Sequence, residues 1–229
     1  MIRILQIETS TSMCSVAISE DGQTAVCVEK NEANIHGAQL LPMIDEALAE
    51  LKITFDDLSA IAVSKGPGSY TGLRIGVASA KGLCYGLNIP LISVPTLQSF
   101  SELVVKKSTT SKFLCPMLDA RRMEVYTARF DRDTNYVEKE SARILDDDFF
   151  NSFDANEAWC FFGPGMNKAS EFISKKENWK MIDDQWPSAK GMSKLAFEAF
   201  KEKRFEDIAY YEPFYLKDFV ATTPKKNIL

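Results

Sequence analysis

The stretch from Ser64 to Leu87, SKGPGSYTGLRIGVASAKGLCYGL, constrains the chain more than any other. An apolar run, Ala60-Ile61-Ala62-Val63, precedes it and reads as a strand. Gly66-Pro67-Gly68 then forces a turn, Ser69, Tyr70 and Thr71 present hydroxyls, and the pattern becomes helical. A glycine turn from strand to helix directs backbone N–H groups from the positive end of the helix dipole, where an anion is favoured. Within the helix Gly72, Gly76, Gly82 and Gly86, with Ser79 and Ala80, recur at helical spacing, so one long face is nearly bare. Each interior glycine costs about 1 kcal/mol relative to alanine. Close approach of another backbone is the simplest compensation.

The rest of the chain orders itself around that turn. Ile2, Ile4 and Ile7 mark a first strand ending in the polar turn Glu8-Thr9-Ser10-Thr11-Ser12. Cys14–Ser19 and Ala25–Glu29 read as strands joined at Asp21-Gly22, a hairpin signal. A helix over Ala38 to Leu51 carries Leu40, Leu41, Ile44, Leu48 and Leu51 as its stripe, widened by Met43 and Ala47. Pro42 fits only if it lies in the first turn. After the glycine helix come a strand at Leu91–Val94 and a helix from Pro95-Thr96 to about Val105. The order β-β-β-α-β-α-β-α predicts an α/β fold with a mixed sheet. Lys106 to Lys112 reads as a hinge, which predicts a lobe at 1–106 and a smaller one at 107–229. Phe113–Leu118, Glu124–Phe130 and Trp159–Phe162 read as strands, Arg143–Phe153 and Ala169–Lys176 as helical, and Ser188–Lys203 as a clearer helix. The tail, Pro213-Phe214-Tyr215-Leu216-Lys217, is aromatic and basic, and whether it returns to the first lobe is left open.

Composition limits the chemistry. A net charge of −5 argues against a chain that grips phosphodiesters unaided. The five cysteines, Cys14, Cys27, Cys84, Cys115 and Cys160, are spread through apolar settings and read as reduced thiols in a cytoplasmic protein. Nothing at the N-terminus has the pattern of a signal peptide, and no apolar run approaches the ~20 residues of a membrane span. His36 is the single histidine, placed as a cap or surface residue, and no pair of residues has metal-ligand spacing. A histidine-based triad has no other base to draw on.

Two turns compete as anion sites. Glu8, Thr9 and Ser10 form one, whose bland alternative is a hydroxyl-rich turn that satisfies its own backbone, and Gly66, Gly68 and Ser69 form the other, whose bland alternative is a sharp turn packed closely on the protein's own sheet. Neither is a Walker A loop. Arg74, in the first helical turn, is placed to meet an acid or an anion. Asp119-Ala-Arg121-Arg-x-Glu124 reads either as a charged active-site cluster or as a salt-bridged corner.

Three segments together resemble the TsaB family: Ile7-Glu8-Thr9-Ser10, then Lys65-Gly66-Pro67-Gly68-Ser69-Tyr70-Thr71-Gly72-Leu73-Arg74-Ile75-Gly76, then Asp119-Ala120-Arg121-Arg122-Met123-Glu124-Val125-Tyr126. The tail Glu212-Pro213-Phe214-Tyr215-Leu216 also fits. That resemblance implies the two-lobed actin-like, Hsp70-like, sugar-kinase-like ATPase superfold. It implies a scaffold in the synthesis of threonylcarbamoyladenosine at position 37 of tRNAs that read ANN codons. The partners it implies are a catalytic paralogue, TsaD, and an ATPase, TsaE, with tRNA reached only through the complex. Older labels place the wider group among glycoproteases. The paralogue's metal histidines have no counterpart here, where Pro95-Thr96-Leu97-Gln98-Ser99 stands, and Lys190-Gly191-Met192 stands where its aspartate ligand would be. No cofactor is therefore expected, although backbone donors leave weak nucleotide binding open. The shared surface expected for the paralogue, or for a second copy of the chain alone, comprises Leu40, Met43, Ile44, Ala47, Gly72, Ile75, Gly76, Ser79, Gly82, Tyr85 and Gly86. The alternative is a stand-alone ATPase, phosphotransferase or peptidase of the same superfold.

Overall fold

The computed structural model describes residues 1–32 and 34–217. Three strands, β1 (Arg3–Glu8), β2 (Met13–Glu20) and β3 (Gln23–Asn31), lead into α1 (His36–Leu51), β4 (Ala60–Ser64), α2 (Tyr70–Leu87), β5 (Leu91–Val94) and α3 (Thr96–Val104). The β-β-β-α-β-α-β-α order expected from the sequence is the order observed. The sheet runs β3-β2-β1-β4-β5, antiparallel through β1, β2 and β3, and parallel through β1, β4 and β5. Asp21 and Gly22 both take left-handed backbone, φ 48° and 85°, as a tight hairpin of this hand requires.

A second sheet repeats that connectivity. Strands β6 (Phe113–Asp119), β7 (Glu124–Phe130) and β8 (Tyr136–Ile144) are antiparallel, and β9 (Trp159–Phe162) and β10 (Trp179–Ile182) continue in parallel, in the order β10-β9-β6-β7-β8. Helices α4 (Asp147–Asn151) and α5 (Ser170–Ile173) occupy the places of α1 and α2, much shortened. Neither β8 nor β10 is apparent in the sequence. The helix expected over Arg143–Phe153 shrinks to the five residues of α4, since Arg143 and Ile144 belong to β8.

The layers follow from the strand faces. Leu5 and Ile7 point towards α1 and α2, where Leu40, Met43, Ile44, Ala47 and Leu48 bury the stripe of α1. Each fully buried Leu or Ile contributes roughly 1.5–3 kcal/mol. Ile4, Ala17, Ala60, Ala62, Ile92 and Val94 point the other way, onto a short 3-10 turn (Ala189–Met192) and helix α6 (Ser193–Lys201). Helix α3 covers the facing side of the second sheet through Leu97, Phe100 and Val104. The chain thus crosses between the sheets twice. The expected division at residue 106 leaves 189–217 on the side of the first sheet. Pro42 is the seventh residue of α1, not in its first turn as the sequence reading required, and lies on the exposed side. His36 is buried at the start of α1, not a surface cap.

Beyond α6 the chain forms a strap across the first sheet. Glu206 N–H donates to Leu91 O at 2.9 Å on the edge strand β5. Lys81 Nζ donates to Ala209 O at 3.3 Å and to Tyr211 O at 3.1 Å. Phe214 N–H donates to Lys65 O at 2.8 Å, which brings the aromatic tail onto the first lobe.

Candidate functional site

The two turns expected to hold an anion hold each other. Ser69 N–H donates to Ser10 O at 2.6 Å, and Ser10 N–H to Glu8 Oε1 at 2.7 Å. Thr9 N–H reaches Ser64 Oγ at 3.4 Å, Gly66 N–H donates to Thr96 Oγ1 at 3.1 Å, and Gly72 N–H to the N-capping Ser69 Oγ at 3.3 Å. A Cβ at Gly68 would sit 2.5 Å from Ser10 O, so the loops leave no gap there for a phosphate. Glu8, Thr9, Ser10, Gly66, Gly68 and Ser69 thus form two turns packed on each other. Glu8, Thr9 and Ser10 are buried, and Glu8 Oε2, Thr9 Oγ1 and Ser10 Oγ have no hydrogen-bond partner among the described residues. Burial pushes the Glu8 carboxyl up from its ordinary value, against the opposing pull of the Ser10 and Ser64 hydroxyls and the Ser10 and Thr9 N–H groups.

The glycines of α2 divide between two jobs. At Gly72 and Gly76 a side chain would run into the Thr9 carbonyl and the Thr9 hydroxyl, so these two glycines let the helix lie on the first turn of its own fold. At Gly82 and Gly86 nothing lies within 4 Å of the Cβ position. The expected shared surface is corrected in the same way. Leu40, Met43, Ile44, Ala47, Gly72 and Gly76 are buried within the subunit, because an apolar stripe packs first against its own sheet. Ile75 and Ser79 remain half-buried, and Gly82, Tyr85 and Gly86 are exposed. Tyr85 stands 85% exposed, and Leu41 on neighbouring α1 is 56% exposed. Sequence reasoning placed Leu41 in the core stripe. Its position about 100° around the helix from Leu40 was the signal that it faces out.

The junction residues separate into two groups. Among the described residues Arg74 forms no ion pair, although the Glu212 carboxylate is near enough to favour its charge. Its guanidinium lies 4.2 Å from the Tyr70 ring centre, and its Nε donates to Tyr215 Oη at 3.3 Å. Tyr215 in turn packs against Tyr70 at 4.8 Å. A cavity of about 460 Å³ opens between α2 and the strap, lined by Arg74, Val77, Lys81, Glu212 and Tyr215 among others. At the other group, Lys168 Nζ donates to Asp119 Oδ1 at 2.7 Å, Lys217 pairs with Glu124, and Arg121 N–H donates to Asp119 Oδ1 at 2.6 Å. Both carboxylates of the cluster are thus in ion pairs, Asp119 with Lys168 and Glu124 with Lys217. Among the described residues no three His, Cys, Asp or Glu side chains gather as a metal would need.

A family model described as "TsaD: tRNA N6-adenosine threonylcarbamoyltransferase" matches residues 30–212. A relative from Escherichia coli named "tRNA threonylcarbamoyladenosine biosynthesis protein TsaB" is 31% identical over 96% of both chains. The chain belongs to the TsaB family. A Bacillus subtilis protein of the same name is 35% identical over 59% of this chain and 58% of its own. The fold is that of YeaZ from Pseudomonas aeruginosa, with TM-score 0.82 and 24% identity over 94% of this chain and all of that one. A more distant likeness, TM-score 0.51 at 10% identity over 89% and 96% of the two chains, is to an activator of 2-hydroxyisocaproyl-CoA dehydratase from Clostridium difficile, crystallised with ADPNP. These likenesses show the fold of the TsaB-family chain, α/β with two mixed five-stranded sheets. No helix among the described residues is long and apolar enough to cross a membrane.

Proposed function

We propose that this chain is a non-catalytic subunit in the synthesis of threonylcarbamoyladenosine at position 37 of ANN-reading tRNAs. It binds a TsaD-like catalytic paralogue through the outer face of α1 and α2, in a cytoplasmic assembly that a TsaE-like ATPase completes. Alone, it pairs with a second copy through the same face. The observation that carries the reading is the open space above Gly82 and Gly86, beside exposed Leu41 and Tyr85. Helix glycines that cost stability and meet nothing in their own subunit are accounted for by a neighbouring helix. The inward packing of the two phosphate-type turns favours a scaffold over an ATPase of the same fold.

Gly82→Phe tests this. A Cβ at Gly82 has nothing within 4 Å among the described residues, and the position is exposed, so the monomer should fold with an unchanged circular dichroism spectrum. Its association with the paralogue should weaken at least tenfold in sedimentation velocity, and tRNA modification by the reconstituted components should fall in step. Unchanged association would overturn the proposed face.

A further inference from the structure

The tip between β6 and β7 holds two arginines that no side chain among the described residues engages. Arg121 and Arg122 both take left-handed backbone, φ 70° and 48°. That region suits Gly, Asn and Asp and is uncommon for a long side chain. The tip is pinned by Ala120 N–H to Glu124 O at 3.1 Å, by Glu124 N–H to Arg121 O at 3.2 Å and by the Asp119 bond already described. Its two carboxylates are occupied, Asp119 by Lys168 and Glu124 by Lys217. Both arginines are exposed, and among the described residues neither guanidinium has a hydrogen-bond, ion-pair or ring partner. Four cations thus stand with two carboxylates at one corner of a chain whose net charge is −5. Left-handed backbone is what a tight hairpin needs here as at Asp21-Gly22, and Gly, Asn or Asp would meet that need at less cost than two arginines.

We propose that this tip contacts tRNA directly, with Arg121 and Arg122 each taking a phosphodiester while the chain is bound to its catalytic partner. The inference rests on the function proposed above and adds an RNA-touching surface to the scaffold. Guanidinium forks match phosphate oxygens bidentately. Asp119 neutralises Lys168 and Glu124 neutralises Lys217, so the two arginines carry the unpaired positive charge of the tip. The strap carries Tyr215 onto Arg74 and Lys217 onto Glu124, so the tip lies next to the first turn of α2, at the end of the helix face offered to the partner. Met123, 49% exposed between the arginines and Glu124, adds an apolar surface on which a sugar or base can rest.

The test is tRNA binding by the reconstituted complex over a salt series, read by fluorescence anisotropy, with wild type and the double variant Arg121→Gln/Arg122→Gln. The variant should bind about tenfold more weakly at low salt, and its slope of log affinity against log salt should be shallower by about 1–2. Its assembly with the partner should be unchanged in sedimentation. Arg122→Gly serves as a second variant. It relieves the backbone, so its Tm should rise while its tRNA affinity falls. Unchanged affinity and slope with intact assembly would overturn the proposal and leave the scaffold reading standing. Loss of partner assembly in the double variant would also overturn it, assigning the arginines to acidic groups of the partner protein. A wild-type complex that forms no modified tRNA would overturn both.

Discussion

Glu8 shows how a single side chain can preserve the outline of a chemical site while its surroundings close over it. It ends β1 at the position from which a phosphate loop would start, yet it is fully buried and holds Ser10 N–H. Because burial raises its carboxyl above the ordinary value near 4.5, the folded state keeps a proton that the unfolded chain gives up as pH rises. The contribution of this residue is complete below that value and is lost as pH climbs through the folded one. Glu8→Gln, which mimics the protonated form, should therefore gain stability over wild type as pH is raised from 4 to 8 in urea unfolding, and match it at the acid end. A difference that stays constant across that range would show that folding leaves the Glu8 carboxyl unshifted.

At the scale of the element, α2 is two helices of different purpose laid end to end. Its first half is glycine so that it can touch Thr9, and its second half is glycine where nothing touches it. Alanine separates the two. Gly82→Ala should stabilise the isolated subunit by about 0.5–1 kcal/mol through helix propensity, a rise of roughly 2–4 °C in Tm for a chain of this size. Gly76→Ala should lower Tm, because the added methyl collides with the Thr9 hydroxyl. Equal shifts from the two substitutions would contradict the division. The spacing of the glycines makes the helix legible, and Ser69 makes its start legible as an N-cap. Spacing cannot say which glycines face inward, because that depends on where the β1–β2 turn lands. The same limit applies to α1: the stripe of Leu40, Met43, Ile44 and Ala47 marks an apolar face and leaves its partner unspecified. β8 escapes detection because YVEKESARI is an edge strand with no fully buried position, so its alternation is one of charges. β10 escapes because four residues carry too little periodicity.

Across the whole molecule, the central layer decides what can fold alone. Ala189, Met192, Ala196 and Ala199 cover the apolar underside of the first sheet, and Gly191 lets the same segment lie against Ser99 of α3. A fragment of residues 1–106 would expose Ile4, Ala17, Ala60, Ala62, Ile92 and Val94 together. It is expected to bind a hydrophobic dye and to show no sharp thermal transition, and co-expression with residues 186–217 should restore both. A soluble, cooperatively unfolding fragment would mean that the lobes are independent. The sequence reveals the first sheet strand by strand and conceals the duplication, since the two halves share connectivity and almost none of their helix lengths.

That shortening of α4 and α5 to five and four residues, against sixteen and eighteen in α1 and α2, sets the arithmetic of assembly. With one long-helix pair on offer, the face proposed for the partner can hold one neighbour at a time. A second copy and the catalytic paralogue would then exclude each other, and the balance between the idle and the working couple would follow their relative abundance.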